Sequence, residues 1–299
     1  MQVNSPQDSG HAGVTTGAGA AAFPVPTLDH IVVNVRDDMA AAAEKYRRLG
    51  FTLTPLGRHT LGSINHLAMF GTDYLELIAV PPGGAPGTDV MDWPAGLNAV
   101  VFGTDDSNAL HAKLAAAGAP VLPPLAFSRP VALPGGARDA AFRTVRVAKE
   151  AVASGRLYFC HHLTRDLVWR DEWRRHANGA LGVDGIVIAA ARPETLGALL
   201  GSLFGAEAVV PIAGGLRLGL GLTRLDIVSP DEVARRFGAA AAPPDGRTEA
   251  MAAMVVRTAD LGRAAAALAA GGIAGVVREP DRVLVPANEA FGVTLEFRA

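Results

Sequence analysis

Four segments of this chain repeat one order of elements, in which a short apolar strand precedes an Ala/Leu-rich helical stretch. The strands read LDHIVVNVRD, LNAVVFGTDD, VDGIVIAAAR and AAMVVRTADL, and they begin at Leu28, Leu97, Val183 and Ala252. Further strand-like pieces follow each helical stretch, and the last of them read DYLELIAV, RLYFCHHL, TRLDIVSP and GVTLEFRA. Such repetition constrains the fold, because each unit must bury its apolar face against another unit. The sequence therefore predicts four βαβββ modules in an α+β fold.

The four modules pair into two halves. Modules 1 and 2 occupy residues 28–163, and modules 3 and 4 occupy residues 183–299. The Trp- and Arg-rich stretch 164–182 between them is interpreted as a linker. Residues 1–27 are small and polar and show no hydrophobic periodicity, which predicts a disordered tail.

Composition limits the functional classes. The 299 residues are 49% hydrophobic, enough for two packed domains, and the formal net charge is −2. The charges are interspersed, so neither nucleic acid nor an anionic membrane surface is an expected partner. We expect a cytoplasmic protein, since no apolar run approaches the roughly 20 residues of a membrane span. Cys160 is the single cysteine, which excludes an intramolecular disulfide.

Polar residues interrupt two of the apolar strands. Strand alternation places His30 on one face with Asn34, and Asp29 on the opposite face with Ile31. In YLELI, Glu76 shares a face with Tyr74 and stands between two leucines of the opposite face. A carboxylate on a buried strand is costly unless it is paired or binds a metal. The alternatives to a metal are an ion pair with an arginine such as Arg58, or a position on an exposed edge strand.

The segments that carry these residues resemble a known superfamily. LDHIVVNVRD…YRRLGF, GRHTLGSINHLAMFGTDYLELIAV and YFCHHLTRDLVWRDEWRRHANGA are similar to the glyoxalase-like subgroup of the vicinal oxygen chelate superfamily, which includes glyoxalases, extradiol dioxygenases and bleomycin-resistance proteins. The resemblance implies that paired modules curl into cup-shaped mixed β-sheets with helices outside. It also implies a divalent metal inside a cup, with ligands from the first and last strands of a module.

Carried over to this sequence, the resemblance assigns metal ligation to His30 and Glu76. Alignment of YLELI with YFCHH places Cys160 opposite Glu76, so that His162 becomes the predicted third ligand and His161, on the other strand face, the reserve. The residue types leave the metal open among Zn, Fe, Mn and Ni. Ala99 stands where the family's dioxygenases place a histidine, which puts extradiol cleavage in doubt.

Further polar residues are candidates for substrate contacts and catalysis. Asn34, Asn65 and Tyr74 are predicted to orient a substrate. Base catalysis is assigned to a metal-bound hydroxide, to a carboxylate such as Glu76 or to His66. Asn65 and His66 lie on opposite strand faces, so at most one of them enters the cavity. Trp169 is expected either to roof the cavity or to pack the two halves together.

The second half lacks the corresponding donors. Gly185 and Ala253 stand at the first-strand ligand positions, and Asp226 and Glu296 at the last-strand positions, without a histidine to join them. We therefore expect residues 183–299 to form a degenerate, metal-free domain with a structural or homodimer-forming role.

Two main functional hypotheses follow. The first is a divalent-metal-dependent lyase, isomerase or dioxygenase-like enzyme that acts on a small oxygen-rich molecule in the first domain. The alternative is a non-catalytic, resistance-type binding protein that uses the same cavity, and the missing first-strand donor at Ala99 favours it. A structural, oligomerising protein with a vestigial site is a third hypothesis.

Overall fold

The chain forms two eight-stranded mixed β-sheets with a few helices on their outer faces. The computed structural model describes Met1 and residues 23–84, 89–242 and 246–299; the predicted tail therefore lies mostly outside the described residues. The first sheet contains β1 (Leu28–Asn34), β2 (Gly57–Arg58), β3 (Ile64–Met69), β4 (Tyr74–Ala79), β5 (Gly96–Gly103), β6 (Leu125–Leu133), β7 (Gly136–Arg146) and β8 (Arg156–His162). The second contains β9 (Ala180–Ala190), β10 (Val209–Ile212), β11 (Gly215–Leu220), β12 (Thr223–Val228), β13 (Glu249–Thr258), β14 (Val277–Arg278), β15 (Val283–Val285) and β16 (Thr294–Arg298).

Among the described residues, five α-helices accompany the strands: α1 (Met39–Arg48), α2 (Ser107–Ala116), α3 (Pro193–Phe204), α4 (Pro230–Phe237) and α5 (Leu261–Ala270). Aspartates begin two of them, because the side chains of Asp106 and Asp260 accept the otherwise unpaired backbone N–H groups of the first turn. Helix α4 was not predicted, although Ser229 and Pro230 are typical of a helix start.

The sheet topology repeats the same module four times. The strand orders are β2-β3-β4-β1-β5-β8-β7-β6 and β10-β11-β12-β9-β13-β16-β15-β14. Within each module the first and last strands pair in parallel, and the two modules of a sheet meet through their antiparallel first strands. The predicted α+β fold of βαβββ modules paired in two sheets is confirmed.

The first sheet curls until its two edges meet. The backbone N–H of Thr60, beside β2, donates to the carbonyl of Ser128 on β6 at 2.9 Å, and the N–H of Ser128 donates to the Thr60 hydroxyl at 3.2 Å. This contact joins strands from the two ends of the sheet order. The inner face of the sheet therefore encloses a cup.

Apolar residues divide into one shared core and two cup interiors. The shared core includes Ile31 and Leu75 of the first sheet with Ile186 and Leu295 of the second, all fully buried. Smaller apolar clusters line the inside of each sheet. Among the described residues, none of the helices combines the length and the apolar character that a bilayer crossing requires.

A buried acid also joins the two halves, and its replacement is expected to stabilise the protein. Asp73 accepts the backbone N–H of Val183 at 2.9 Å. Burial raises the pKa of Asp73 to about 6, against the weaker opposing effects of this hydrogen bond and of Arg257. The folded state thus binds the proton more tightly than the unfolded state, so the free energy of unfolding falls as the pH rises from about 4 to about 6. Asp73→Asn keeps an acceptor for Val183 without the charge, and we expect a gain of about 1–3 kcal/mol at neutral pH.

Urea denaturation of Asp73→Asn between pH 4 and pH 8 measures this gain. The gain should be smallest at pH 4 and greatest at pH 8, and the exposed Asp166→Asn variant should stay within about 0.5 kcal/mol of the parent protein. Lower stability of Asp73→Asn at pH 8 would contradict the expectation.

Candidate functional site

A cavity of about 490 Å³ lies inside the first cup. Polar side chains from several strands and one loop reach into it: His30, His59, Asn65, Glu76, Arg129 and Tyr158. Most of the remaining wall is apolar, with Leu61, Leu67, Ile78, Phe127 and Phe142 among its residues. Polar groups that converge in a mainly apolar pocket are typical of a small-molecule site.

His30 and Glu76 face each other in this cavity. Their strands β1 and β4 pair in parallel, with Val32 opposite Glu76 and His30 opposite Tyr74. The Nε2 atom of His30 lies 3.5 Å from Oε2 of Glu76, and its ring stacks on Tyr74 with centroids 4.3 Å apart. A ring nitrogen and a carboxylate oxygen at this separation hold either a proton or a metal cation between them. The structure thus brings the two principal predicted ligands together.

A carboxylate holds the far side of the His30 ring. Asp29 Oδ1 lies 2.6 Å from His30 Nδ1 and 3.0 Å from Nε2 of His162. Despite its burial, Asp29 has a pKa well below the usual range, because these two imidazoles favour the charged form. The pKa of His30 is raised, since the hydrogen bonds and charges of Asp29 and Glu76 outweigh its burial.

The position of Asp29 corrects the prediction from strand alternation. Leu28 pairs with Phe102 and His30 with Val101, so Asp29 is an extra residue on β1, as in a β-bulge. The bulge brings Asp29 to the imidazoles of the cup and away from the core side chain of Ile31.

Glu76 is engaged by an amide and not by Arg58. The Nδ2 group of Asn65 donates to Oε1 of Glu76 at 2.7 Å, whereas the Arg58 side chain is exposed. Burial works to raise the pKa of Glu76, but His30, His59 and Asn65 together lower it to about 2. Glu76 therefore remains a carboxylate in the cavity at neutral pH.

His59 is a cavity residue that the sequence reasoning missed. Its Nε2 atom lies 3.2 Å from Nδ2 of Asn65, and its Nδ1 atom lies 2.8 Å from the Ser63 hydroxyl. Burial lowers the pKa of His59 to about 4, so the ring is neutral at pH 7. The signal was its place in GRHTLGSINH, four residues before Ser63, but His59 is in a loop, where periodicity assigns no face.

The last strand of module 2 presents a different residue from the one predicted. Val101 of β5 pairs with Tyr158 of β8, as Val32 pairs with Glu76 in module 1, so Tyr158 corresponds to Glu76. The alignment that assigned this place to Cys160 was wrong by two residues. The Tyr158 hydroxyl lies 3.3 Å from His30 Nε2, inside the cavity.

His162, the predicted third ligand, lies outside the His30–Glu76 pair. His162 contacts Asp29 behind His30 and packs on Trp169, with ring centroids 4.8 Å apart. Asp29, Cys160 and His162 offer ligand atoms within 4.8 Å of one another, which makes them a second group able to hold a cation. The reserve, His161, faces α2, where its Nδ1 atom lies 3.5 Å from the Ser107 hydroxyl.

The structure does not bring three other predicted residues into the cavity wall. His66 donates from Nδ1 to the Thr54 carbonyl at 2.7 Å on the helix side of the sheet, which argues against its role as a base. Asn34 donates to the carbonyls of Val90 and Trp93 and thereby holds that segment. Trp169 packs behind Tyr74 with ring centroids 5.4 Å apart and is not among the residues that line the cavity. Tyr74 and Asn65 do line the cavity.

In the second cup, the acid that corresponds to Glu76 is ion-paired with arginines. Val187 pairs with Asp226 as Val32 pairs with Glu76, and Asp226 accepts from Arg217 at 2.6 Å and from Arg236 at 2.7 Å. Gly185 supplies no side chain at the His30 position. The described part of this cup thus shows an ion-pair network where the first cup shows His30 beside Glu76.

Comparison with known proteins agrees with this architecture. The family model described as glyoxalase-like domain matches residues 28–204. No curated protein matches the chain significantly. A hypothetical protein from Staphylococcus aureus is similar in structure, with a TM-score of 0.63 and 12% identity, over 91% of this chain and 98% of that one.

Two further solved structures carry enzyme names. A mutant of 4-hydroxymandelate synthase from Streptomyces coelicolor has a TM-score of 0.56 and 13% identity, over 92% of each chain. A xylose isomerase-like TIM barrel/4-hydroxyphenylpyruvate dioxygenase fusion protein has a TM-score of 0.57 and 15% identity, over 95% of this chain and 51% of that one. At these identities the likeness shows the fold alone. The family match covers more than half of the sequence, and the chain therefore belongs to the glyoxalase-like domain family.

Proposed function

We propose that this protein is a divalent-metal-dependent enzyme that acts on a small oxygen-rich molecule in the cup of its first half. The reaction belongs to the lyase, isomerase or dioxygenase-like chemistry of the superfamily. The observation that carries the proposal is the 3.5 Å separation between His30 Nε2 and Glu76 Oε2 in a largely apolar cavity.

The donors at this position suit a metal ion. Ligand nitrogens and oxygens stand about 2.0–2.2 Å from a zinc-like ion, so two ligands of one ion lie about 3–4 Å apart. The contact of Asp29 with His30 Nδ1 is the partnership that fixes a ligating imidazole in metal sites. One imidazole and one carboxylate suit Zn, Fe, Mn or Ni, and they leave coordination positions for substrate oxygens.

The remaining residues have roles that follow from their protonation and position. A bound divalent ion supplies Lewis acidity, which stabilises negative charge on substrate oxygens. Burial raises the pKa of Tyr158 far above neutral, so its phenol keeps its proton and donates to a substrate oxygen. The neutral His59 ring can accept a proton at Nε2 when the hydrogen bond from Asn65 Nδ2 to this atom is broken. The buried Oδ1 atom of Asn65, which has no described partner, accepts from a substrate hydroxyl.

A binding protein without catalysis is the second candidate. The contact of His162 with Asp29 favours the binding protein, because it holds His162 behind His30 and not beside Glu76. Module 2 then contributes the Tyr158 hydroxyl, and no histidine, next to His30 and Glu76. Ala99 contributes no ligand. The same cavity would then sequester a small molecule.

Elemental analysis of purified protein, before and after reconstitution with Zn, Fe, Mn and Ni, tests the proposal. We expect about one divalent ion per chain after reconstitution, and oxygen consumption then distinguishes dioxygenase-like from lyase or isomerase chemistry. Failure to retain any of the four metals would leave the binding protein as the better account.

Loss of the Asp29 charge is expected to weaken metal binding without abolishing it. Asp29→Asn leaves a weaker partner for His30 Nδ1, so the ring is less well oriented and less basic. The expected loss of metal affinity is about 10- to 100-fold, measured by isothermal titration calorimetry. Asp184→Asn is the matched control, because Asp184 occupies the same position in the third repeat and pairs with Arg224. Equal losses in both variants would contradict the role given to Asp29.

A further inference from the structure

An arginine without a described partner projects into the first cavity. Arg129 lies on β6 opposite Ala140, and its residue is 4% exposed. Its Nε and Nη2 atoms have no hydrogen-bond partner among the described residues, and its side chain lines the same cavity as His30 and Glu76.

Burial of this guanidinium is unfavourable. A buried cation with unused N–H donors costs free energy that an ion pair or a bound anion offsets. The oxygens of Glu76 are engaged by His30 and Asn65, and the described residues show no ion pair between Glu76 and Arg129. The charge of Glu76 favours the charged form of Arg129, but the unused N–H donors still leave room for a ligand that supplies acceptors.

The second cup provides a comparison within the same chain. Its cavity is also lined by arginines, and each of them forms an ion pair with a neighbouring acid: Arg217, Arg224, Arg235, Arg236, Arg282 and Arg298. Arg129 differs from all six. The chain thus pairs the cavity arginines of the second cup and leaves the buried arginine of the first cup available.

The surroundings of Arg129 indicate the kind of ligand. A Cβ atom at Gly57 would lie 3.2 Å from Arg129 Nη1 and would overlap Oδ1 of Asn65, so a glycine leaves both side chains the room they occupy. Phe127 and Phe142 stack with centroids 5.3 Å apart and form an apolar wall of this cavity. The site therefore offers a buried planar guanidinium beside an apolar surface.

We propose that the cavity binds a carboxylate-bearing molecule with an apolar body, and that its carboxylate pairs with the Arg129 guanidinium. The fork of N–H donors in arginine matches the two oxygens of a carboxylate. A phosphate dianion is a poorer match, because it needs more donors and would lie in a cavity that already contains the Glu76 carboxylate. The identification of this molecule as a substrate rests on the proposed function.

Binding to metal-free protein tests the assignment separately from the metal centre. Acetate, butyrate and phenylacetate, each beside its neutral amide, and inorganic phosphate serve as probes in calorimetry and thermal denaturation of EDTA-treated protein. We expect phenylacetate to bind best and at least tenfold more tightly than phenylacetamide. Arg129→Met should lose at least tenfold of this affinity, and Arg129→Lys should retain part of it.

Arg58→Met is the control, since Arg58 is exposed and lies outside the cavity wall. It should change the affinity less than twofold. Arg129→Met should unfold at the same or a higher temperature than the parent protein, because it removes an unpaired buried charge.

Three results would overturn the assignment: amides that bind as well as carboxylates, phosphate that binds more tightly than phenylacetate, or an Arg129→Met variant that unfolds at a lower temperature. Metal stoichiometry, measured on the same preparations, reports on the proposed function independently. If the protein binds carboxylates but no metal, the proposed metal-dependent enzyme is wrong and the Arg129 site stands.

Discussion

Replacement of His30 by alanine, or of Glu76 by glutamine, is expected to abolish tight binding of a divalent metal. Each change removes one of the two ligand atoms that stand 3.5 Å apart in the first cup. We expect each to weaken metal affinity by about 1,000-fold, well beyond the effect of losing an outer partner such as Asp29. Metal titration by calorimetry, together with elemental analysis of dialysed protein, measures the loss.

Two further variants make this test specific. His66→Gln changes a neighbouring histidine that lies outside the cavity wall and should leave metal affinity within about threefold of the parent. His162→Ala distinguishes the two candidate cation groups, because His162 joins Asp29 and Cys160 and not Glu76. If His162→Ala lost the metal while Glu76→Gln retained it, the ion would belong to the Asp29 group and the proposed centre would be wrong.

The second large effect is expected in the shared core. Tyr46 of α1 is fully buried, contacts Phe51 with ring centroids 6.0 Å apart, and donates from its hydroxyl to the Ala290 carbonyl of the second half at 3.2 Å. Tyr46→Ala creates a large cavity at this junction and is expected to lower the free energy of unfolding by about 3–5 kcal/mol.

Tyr46→Phe separates packing from hydrogen bonding at the same position. It keeps the ring and loses one hydrogen bond, so a cost of about 1 kcal/mol is expected. Urea denaturation measures both variants. A loss below about 1 kcal/mol for Tyr46→Ala would show that the junction contributes little to the stability of the fold.

The fold was predictable because its evidence is local and repeated. Each module shows an apolar strand, a helical stretch and a final apolar strand in the same order, and the structure has these elements in the same places. The extra helix α4 carried its own signal in Ser229 and Pro230 but stood outside the repeat. The repeat therefore predicted the elements within the modules but not the helix α4 between two of them.

Within the first module the sequence predicted His30 and Glu76 but not the bulge at Asp29, and in the second module it predicted the wrong residue. His30 and Glu76 lie on strands whose alternation is regular where they face each other, so their shared face could be deduced. In module 2 the matching letters of YFCHH led to Cys160, whereas the strand register selects Tyr158. A displacement of two residues preserves the strand face, so alternation alone could not detect the error.

The sequence by itself determined the α+β class, the four modules, and the strand faces of His30 and Glu76, because period-two alternation and internal repetition are properties of neighbouring residues. The pairing of these two residues as metal ligands came from the family resemblance. The tertiary structure alone decided that Asp29 joins the imidazoles, that Tyr158 stands beside His30, and that Arg129 enters the cavity without a described partner. These contacts depend on a bulge, on the pairing register of distant strands, and on the closure of the sheet. Each is settled by backbone hydrogen bonds between segments far apart in the chain, which no local pattern records.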